Sequence, residues 1–252
     1  MINVVVLAAG PNDEFSEDGY RFPKNLVEIE GIPLLGRVIA TTTTIAGDLR
    51  VIVCISQQED REFHTSETIR LVAPDAQIIH VKEQTAGALC TALLAVDLLS
   101  DEDELLIING DSLVLQDLDG ILNNFRNRNL DAGTVCFRAI HPRFSFVRLA
   151  ENFRITEVAE KRPISQFATA GVYWFKSAHD FKLSAFNSIR RRQDVDGKFY
   201  VSPVLNELIL ARANVGAIEI DSSRYANLQS PKMIEDFKQK VSNRKRETIE
   251  YG

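Results

Sequence analysis

Five apolar runs that do not alternate with polar residues constrain this chain most. They are Asn3–Leu7, Val51–Ile55, Gln77–Val81, Glu104–Ile108 and Gly133–Phe137. A strand with one wet face alternates, whereas an unbroken apolar strand must be covered on both faces. Segments with helical spacing separate the first four runs. Leu34, Leu35, Val38, Ile39 and Ile45 form one stripe, and Glu67 to Val72 forms a weaker one. Leu89, Ala92, Leu93, Val96 and Leu99 mark a strong helix over Ala86–Leu99. This order predicts an α/β protein with a mainly parallel sheet between helical layers. Ligands then gather at the carboxyl ends of the strands.

The pattern changes after a further helix at Ile121–Asn129. Ser145–Leu149, Arg154–Val158 and Ala168–Phe175 read as strands joined by short polar turns. Helices follow at Ala178–Arg191 and Val201–Ala213, where Ser202-Pro203 fits an N-cap before a first-turn proline. Val215–Ile220 is a last strand, and Ser230-Pro231 opens a charged terminal helix. With no linker, repeat or low-complexity tract, one domain is expected over 1–252. A nucleotide-binding half would cover about 1–130, an acceptor-binding half about 131–230, and a terminal helix 230–252.

Composition narrows the partners. The 252 residues are 45% hydrophobic and 25% charged, ordinary for a folded soluble chain. A formal charge of −6 argues against general affinity for nucleic acid or acidic membranes, so phosphates must be met by local cations and a metal. No run approaches the ~20 apolar residues needed to span a bilayer. Cys54, Cys90 and Cys136 lie far apart without a CxxC, which fits free thiols in a reducing cytoplasm. His64, His80, His141 and His179 are equally scattered, so no zinc site is expected.

The first strand runs directly into Ala8-Ala9-Gly10, and Pro23-Lys24 follows across a loop. Small residues let backbone N–H groups reach a phosphate or a base edge, and a lysine adds a mobile positive charge for a polyphosphate. Asp111 closes Ile107-Ile108-Asn109-Gly110-Asp111, where a strand-end carboxylate can hold Mg²⁺ or simply sit in a turn. Glu160-Lys161-Arg162-Pro163 is either an acceptor-binding cluster or a solvated hairpin turn. Gly171, inside a strand, marks a close approach or a bulge. Gln84 to Ala88 opens the strong helix, either as an anion or base site or as a tight cap. Arg190-Arg191-Arg192 reads as a solvated helix end, Asp117 as the cap of the next helix, and Trp174 as core.

Together these pieces resemble the sugar-1-phosphate nucleotidyltransferases, the nucleotide-sugar pyrophosphorylases. The resemblance is carried by Leu7-Ala8-Ala9-Gly10 with Pro23-Lys24, Gln84 through Ala88, Gly110-Asp111, Val158-Ala159-Glu160-Lys161 and Ala170-Gly171-Val172-Tyr173, in register over most of the chain. The stretch His141 to Phe146, with Ile164-Ser165, Phe199 to Pro203 and Asn206-Glu207, is similar to a bacterial branch associated with capsule and surface-glycan biosynthesis. The resemblance implies the nucleotide-diphospho-sugar transferase fold: Rossmann-like, three-layer α/β/α, with a mixed, mainly parallel sheet. It also implies transfer of NMP from CTP, UTP or dTTP to a sugar phosphate or other small phosphorylated metabolite, with Mg²⁺ as cofactor and pyrophosphate as product.

By the same resemblance, Leu7, Ala8, Ala9, Gly10, Lys24, Gln84, Ala86 and Gly87 would bind the nucleotide. Asn109, Glu160, Lys161 and Gly171 would bind the acceptor, Asp111 and Asn227 the metal, and Lys24, Asp111 and Lys161 would carry the catalysis. Related enzymes are commonly dimers or larger, so a homo-oligomer is allowed. Two departures stand out. Pro11-Asn12-Asp13-Glu14 replaces the family's Gly-x-Gly-x-Arg loop, leaving Arg21 as a candidate substitute, and Asn227 stands where a second metal-binding aspartate is usual. Two rival readings are a metal-dependent glycosyltransferase and a non-catalytic nucleotide-binding regulatory subunit.

Overall fold

A computed structural model describes the backbone of residues 1–250 and the side chains of residues 1–243. The chain forms, in order, strands β1 (Ile2–Ala8), β2 (Glu28–Ile29), β3 (Ile32–Pro33), β4 (Leu49–Ser56), β5 (Gln77–Val81), β6 (Glu104–Asn109) and β7 (Ser112–Val114). Then come β8 (Ala132–Arg138), β9 (Phe146–Leu149), β10 (Ile155–Ala159), β11 (Phe167–Phe175), β12 (Val215–Glu219) and β13 (Tyr225–Asn227). Nine of these make one sheet, running β5-β4-β1-β6-β11-β8-β12, with the β9–β10 ribbon attached at the far end of β11. The pairs among β5, β4, β1 and β6 are parallel, whereas β11 runs antiparallel to both β6 and β8.

The central runs are apolar throughout because each strand feeds two cores. Val4 and Val6 of β1, with Leu106 and Ile108 of β6, pack on one face against Leu34, Leu35 and Ile39 of the helix Leu34–Thr42. Val5, Leu105 and Ile107 pack on the other face with Leu89, Phe181 and Leu205. Successive strand residues point to opposite sides, so a covered sheet needs an apolar residue at every position. Trp174 is core, stacked on Phe125 at 5.6 Å, with its indole N–H donating to Glu104.

Several helices differ from the sequence expectation, among them Asp13–Glu17 within the loop after Gly10. Ala86–Leu99 becomes a helix at Ala88–Leu93 followed by a 3₁₀ turn at Val96–Leu98. Gly87 is the N-cap at φ +113°, so helical backbone cannot begin at Ala86. The helix expected over Val201–Ala213 is shorter, Val204–Leu210, because the Ser202 hydroxyl donates to Glu160 instead of capping. The polar segment Gln57–Phe63 is helical without an apolar stripe, capped by Ser56 and burying only Glu59. Asp117 caps the helix Leu118–Asn127 as expected. The terminal helix runs Pro231–Glu250; Tyr251 and Gly252 lie outside the described residues. Among the described residues, no helix is long and apolar enough to cross a membrane.

Candidate active site

The carboxyl ends of β1 and β6 open into a cavity of 580 Å³. Leu7 to Gly10 form one wall as β1 runs out of the sheet. Across it, Lys24 and Asp111 meet, Nζ to Oδ2 at 2.9 Å. Lys24 is 6% exposed, so it is a clamped cation and not the mobile charge the sequence suggested. The short antiparallel ribbon β7–β13 sets Asn227 opposite Ser112, and the Leu228 N–H donates to the Asp111 carbonyl. Asp111 and Asn227 therefore share one end of the cavity.

Gln84 and Gly87 line another wall, but Ala86 does not. Its carbonyl accepts from the Phe199 N–H at 2.7 Å, and the Phe199 carbonyl accepts from Leu89 N–H. A Cβ on Gly87 would lie 2.4 Å from that Phe199 oxygen. The tight helix start thus serves backbone packing as well as the cavity. Gly110, also on the cavity wall, likewise makes room for the end of β1, with Ala8 and Leu7 2.8 Å from any added Cβ. Gly171 sits at φ +72° within an irregular stretch of β11, where an added Cβ would collide with the Asn109 amide. It is both a bulge and a close approach.

Asn109, Glu160, Lys161 and Gly171 face the same cavity. Glu160 accepts from the hydroxyls of Ser145 and Ser202, and burial pushes its carboxyl above the usual range against those two bonds and the nearby Lys161 charge. Lys161 lies at a turn with φ +51°, its N–H bonded to the Phe144 carbonyl. Its ammonium is 5.1 Å from the Tyr200 ring centre. Tyr200 is the main influence raising the Lys161 pKa, partial burial opposes it, and the fields of Glu160 and Asp196 add to the rise.

Arg21 does not line the cavity; its guanidinium stands 5.6 Å from the Phe22 ring centre. It therefore fails as a stand-in for the loop arginine, and Asp13 and Glu14 face the cavity instead. Arg190, Arg191 and Arg192 also lie elsewhere, with Arg191 paired to Glu207 at 3.5 Å. Sequence reasoning missed Asn25, Lys198 and the buried Glu59, and used Arg143, Ser145 and Tyr200 only within segment resemblances. A lone polar residue in an irregular segment carries no periodic signal, and pairing across long sequence separations creates these contacts.

Among the described residues, no three His, Cys, Asp or Glu side chains cluster as a metal cage. Asp111 bonds Lys24 through Oδ2, while the Asn227 side-chain oxygen accepts from Gln229 N–H at 3.0 Å. A carboxylate and an amide oxygen at one cavity end fit a hard cation that takes the rest of its shell from water and phosphates.

Comparison with known proteins agrees with this architecture. The family model described as Nucleotidyl transferase matches residues 4–206. A UTP–glucose-1-phosphate uridylyltransferase of Haloferax volcanii is 25% identical over 228 residues, covering 88% of this chain and 90% of that protein. The crystal structure of a nucleoside-diphosphate-sugar pyrophosphorylase from Vibrio cholerae superposes with a TM-score of 0.78 at 20% identity, over 95% of this chain and 100% of that one. The inositol-1-phosphate CTP transferase of T. maritima gives 0.71 at 16% identity, over 92% and 90%. The fold is that of the nucleotide-diphospho-sugar transferases, and the chain belongs to the nucleotidyl transferase family.

Proposed function

We propose that the protein transfers NMP from CTP, UTP or dTTP to a sugar phosphate, or to another small phosphorylated metabolite, and releases pyrophosphate. The observation that carries this reading is the Lys24–Asp111 pair, at 2.9 Å, inside a cavity that Lys161 also lines. A glycosyltransferase reading leaves the buried Lys24 without a task.

An acceptor phosphate oxygen attacks the α-phosphorus in line, and the bond to the leaving pyrophosphate breaks. The attacking oxygen is already anionic, so no general base or covalent protein intermediate is needed. Catalysis is positioning and charge neutralisation. Backbone groups of Leu7, Ala8, Ala9 and Gly10, with Gln84 and Gly87, bind the nucleotide; Ala86 positions that segment through Phe199. Lys24 neutralises the triphosphate. Lys161 binds the acceptor phosphate, while Asn109, Glu160 and Gly171 contact its remaining groups. Asp111 and Asn227 would hold Mg²⁺, which supplies charge neutralisation to the phosphates when bound.

The Haloferax relative makes UTP with a sugar 1-phosphate the first pair to assay. The reading places the enzyme in the cytoplasm, supplying activated precursors for capsule or surface glycans, and allows a homo-oligomer. A matrix of triphosphates against phosphorylated metabolites tests it by mass spectrometry of the product and by pyrophosphate release. Stoichiometric nucleotide–acceptor conjugate and pyrophosphate from at least one pair is the expected result. Nucleotide binding with no conjugate from any pair would favour the regulatory reading. Sugar transfer from a nucleotide-sugar donor would favour the glycosyltransferase.

A further inference from the structure

Behind the nucleotide loop lies a carboxylate that the reaction itself does not use. Glu59 is 4% exposed in the helix Gln57–Phe63. Its Oε1 accepts from the Asn25 amide and the Thr65 hydroxyl, both at 2.9 Å. Its Oε2 accepts from the Asn12 amide and from Asn25, both at 3.1 Å. The same two asparagines hold the loop. The Asn25 amide also donates to the Ala8 carbonyl at 2.8 Å, and the Asn12 side-chain oxygen accepts from the Lys24 backbone N–H at 3.0 Å. One carboxylate thus gathers the end of β1, residue 12 and residues 24–25.

Taking such a carboxylate out of water is costly unless its oxygens are satisfied. Burial raises the Glu59 carboxyl, while Asn25, Thr65, Asn12 and the Lys24 charge oppose that rise. Exposed, capped helices of this length do not need a buried acid. Three of the four bonds it accepts come instead from Asn12 and Asn25, in the segments that place Lys24 on Asp111.

We propose that Glu59 is a positioning residue which, through Asn12 and Asn25, fixes the Lys24 ammonium against Asp111. The proposal rests on the transfer reading for its catalytic consequence, but its geometry can be read without turnover. Brief amine acylation with peptide mass spectrometry measures the labelling rate of each lysine in the full chain. In the wild type Lys24 is protected relative to Lys161 and Lys198. In Glu59→Ala, Lys24 labelling rises by about tenfold as the loop opens locally, with Lys161 and Lys198 unchanged. Glu59→Gln keeps one acceptor oxygen and presents an N–H to another donor, so its rise is smaller.

Asn12→Ala removes the Lys24 tether on a half-buried loop that need not fold differently. It gives a similar rise, and combining it with Glu59→Gln adds little beyond either alone. In turnover assays these variants raise the triphosphate KM and lower kcat, while the acceptor KM stays put; Glu62→Gln, on the exposed face of the same helix, changes neither. Unchanged Lys24 labelling in Asn12→Ala and Glu59→Gln would overturn the proposal. A uniform rise at every lysine would do the same, because it would show general loosening. A wild type that binds nucleotide without turnover would defeat the transfer reading and leave the labelling result standing.

Discussion

Lys24 and Asp111 stand 87 residues apart in sequence and 2.9 Å apart in space, with side-chain exposures of 8% and 20%. Each charge is withdrawn from water and answered by the other. Removing one partner of a fully buried pair costs about 3–5 kcal/mol, whereas replacing both with neutral groups of similar shape is often neutral. Asp111 keeps some solvent, so the cost here falls below that range. Lys24→Met and Asp111→Asn should each lower stability, and the double variant should be more stable than either single one. Urea denaturation of the four proteins checks this; additive losses would contradict it.

A second outcome concerns the metal. Asn227 accepts the Gln229 N–H through its side-chain oxygen, a bond that an aspartate can make equally well. Asn227→Asp adds the missing negative charge beside Asp111 at no cost in geometry. The Mg²⁺ concentration giving half-maximal pyrophosphate release should fall roughly tenfold, and Asn227→Ala should raise it. An unchanged Mg²⁺ titration in both would remove Asn227 from the proposed site.

Glu160 makes a prediction about pH. Burial raises its carboxyl above the unfolded value, opposed by Ser145, Ser202 and Lys161. A carboxyl raised on folding contributes stability that is full below the unfolded value of 4.5 and is lost as pH rises through the folded value. Glu160→Gln keeps an oxygen for the two serine hydroxyls and cannot ionise. Between pH 4.5 and 7, wild-type stability relative to the variant should therefore decline. Melting curves across that window check the sign, and a relative gain with rising pH would contradict it.

The sheet was legible because its signal is local. β1, β4 and β6 announced themselves as mostly apolar runs feeding two cores, whereas β5, at the sheet edge, carries exposed Gln77 and His80. The ends of β1 and β6 could be read as ligand-facing for the same reason. What stayed hidden depends on pairing at a distance. Glu59 sits in a helix with no apolar stripe, and its partners Asn12 and Asn25 come from a loop 34 to 47 residues away. Ser202 looked like a helix cap, yet its hydroxyl belongs to Glu160, 42 residues earlier. Gly87 lines the cavity, yet it also packs on the Phe199 backbone, and Gly110 packs on Leu7 and Ala8, approaches that no local pattern announced.

Pyrophosphate release by Lys24→Ala and Asp111→Ala, with the best triphosphate and acceptor of the wild type, tests the central claim most directly. Both variants should remain folded by circular dichroism and lose roughly 10²–10³-fold in kcat, the scale of removing one charge-stabilising group from a transition state. Turnover close to wild type in either variant would show that the chemistry does not pass through this pair.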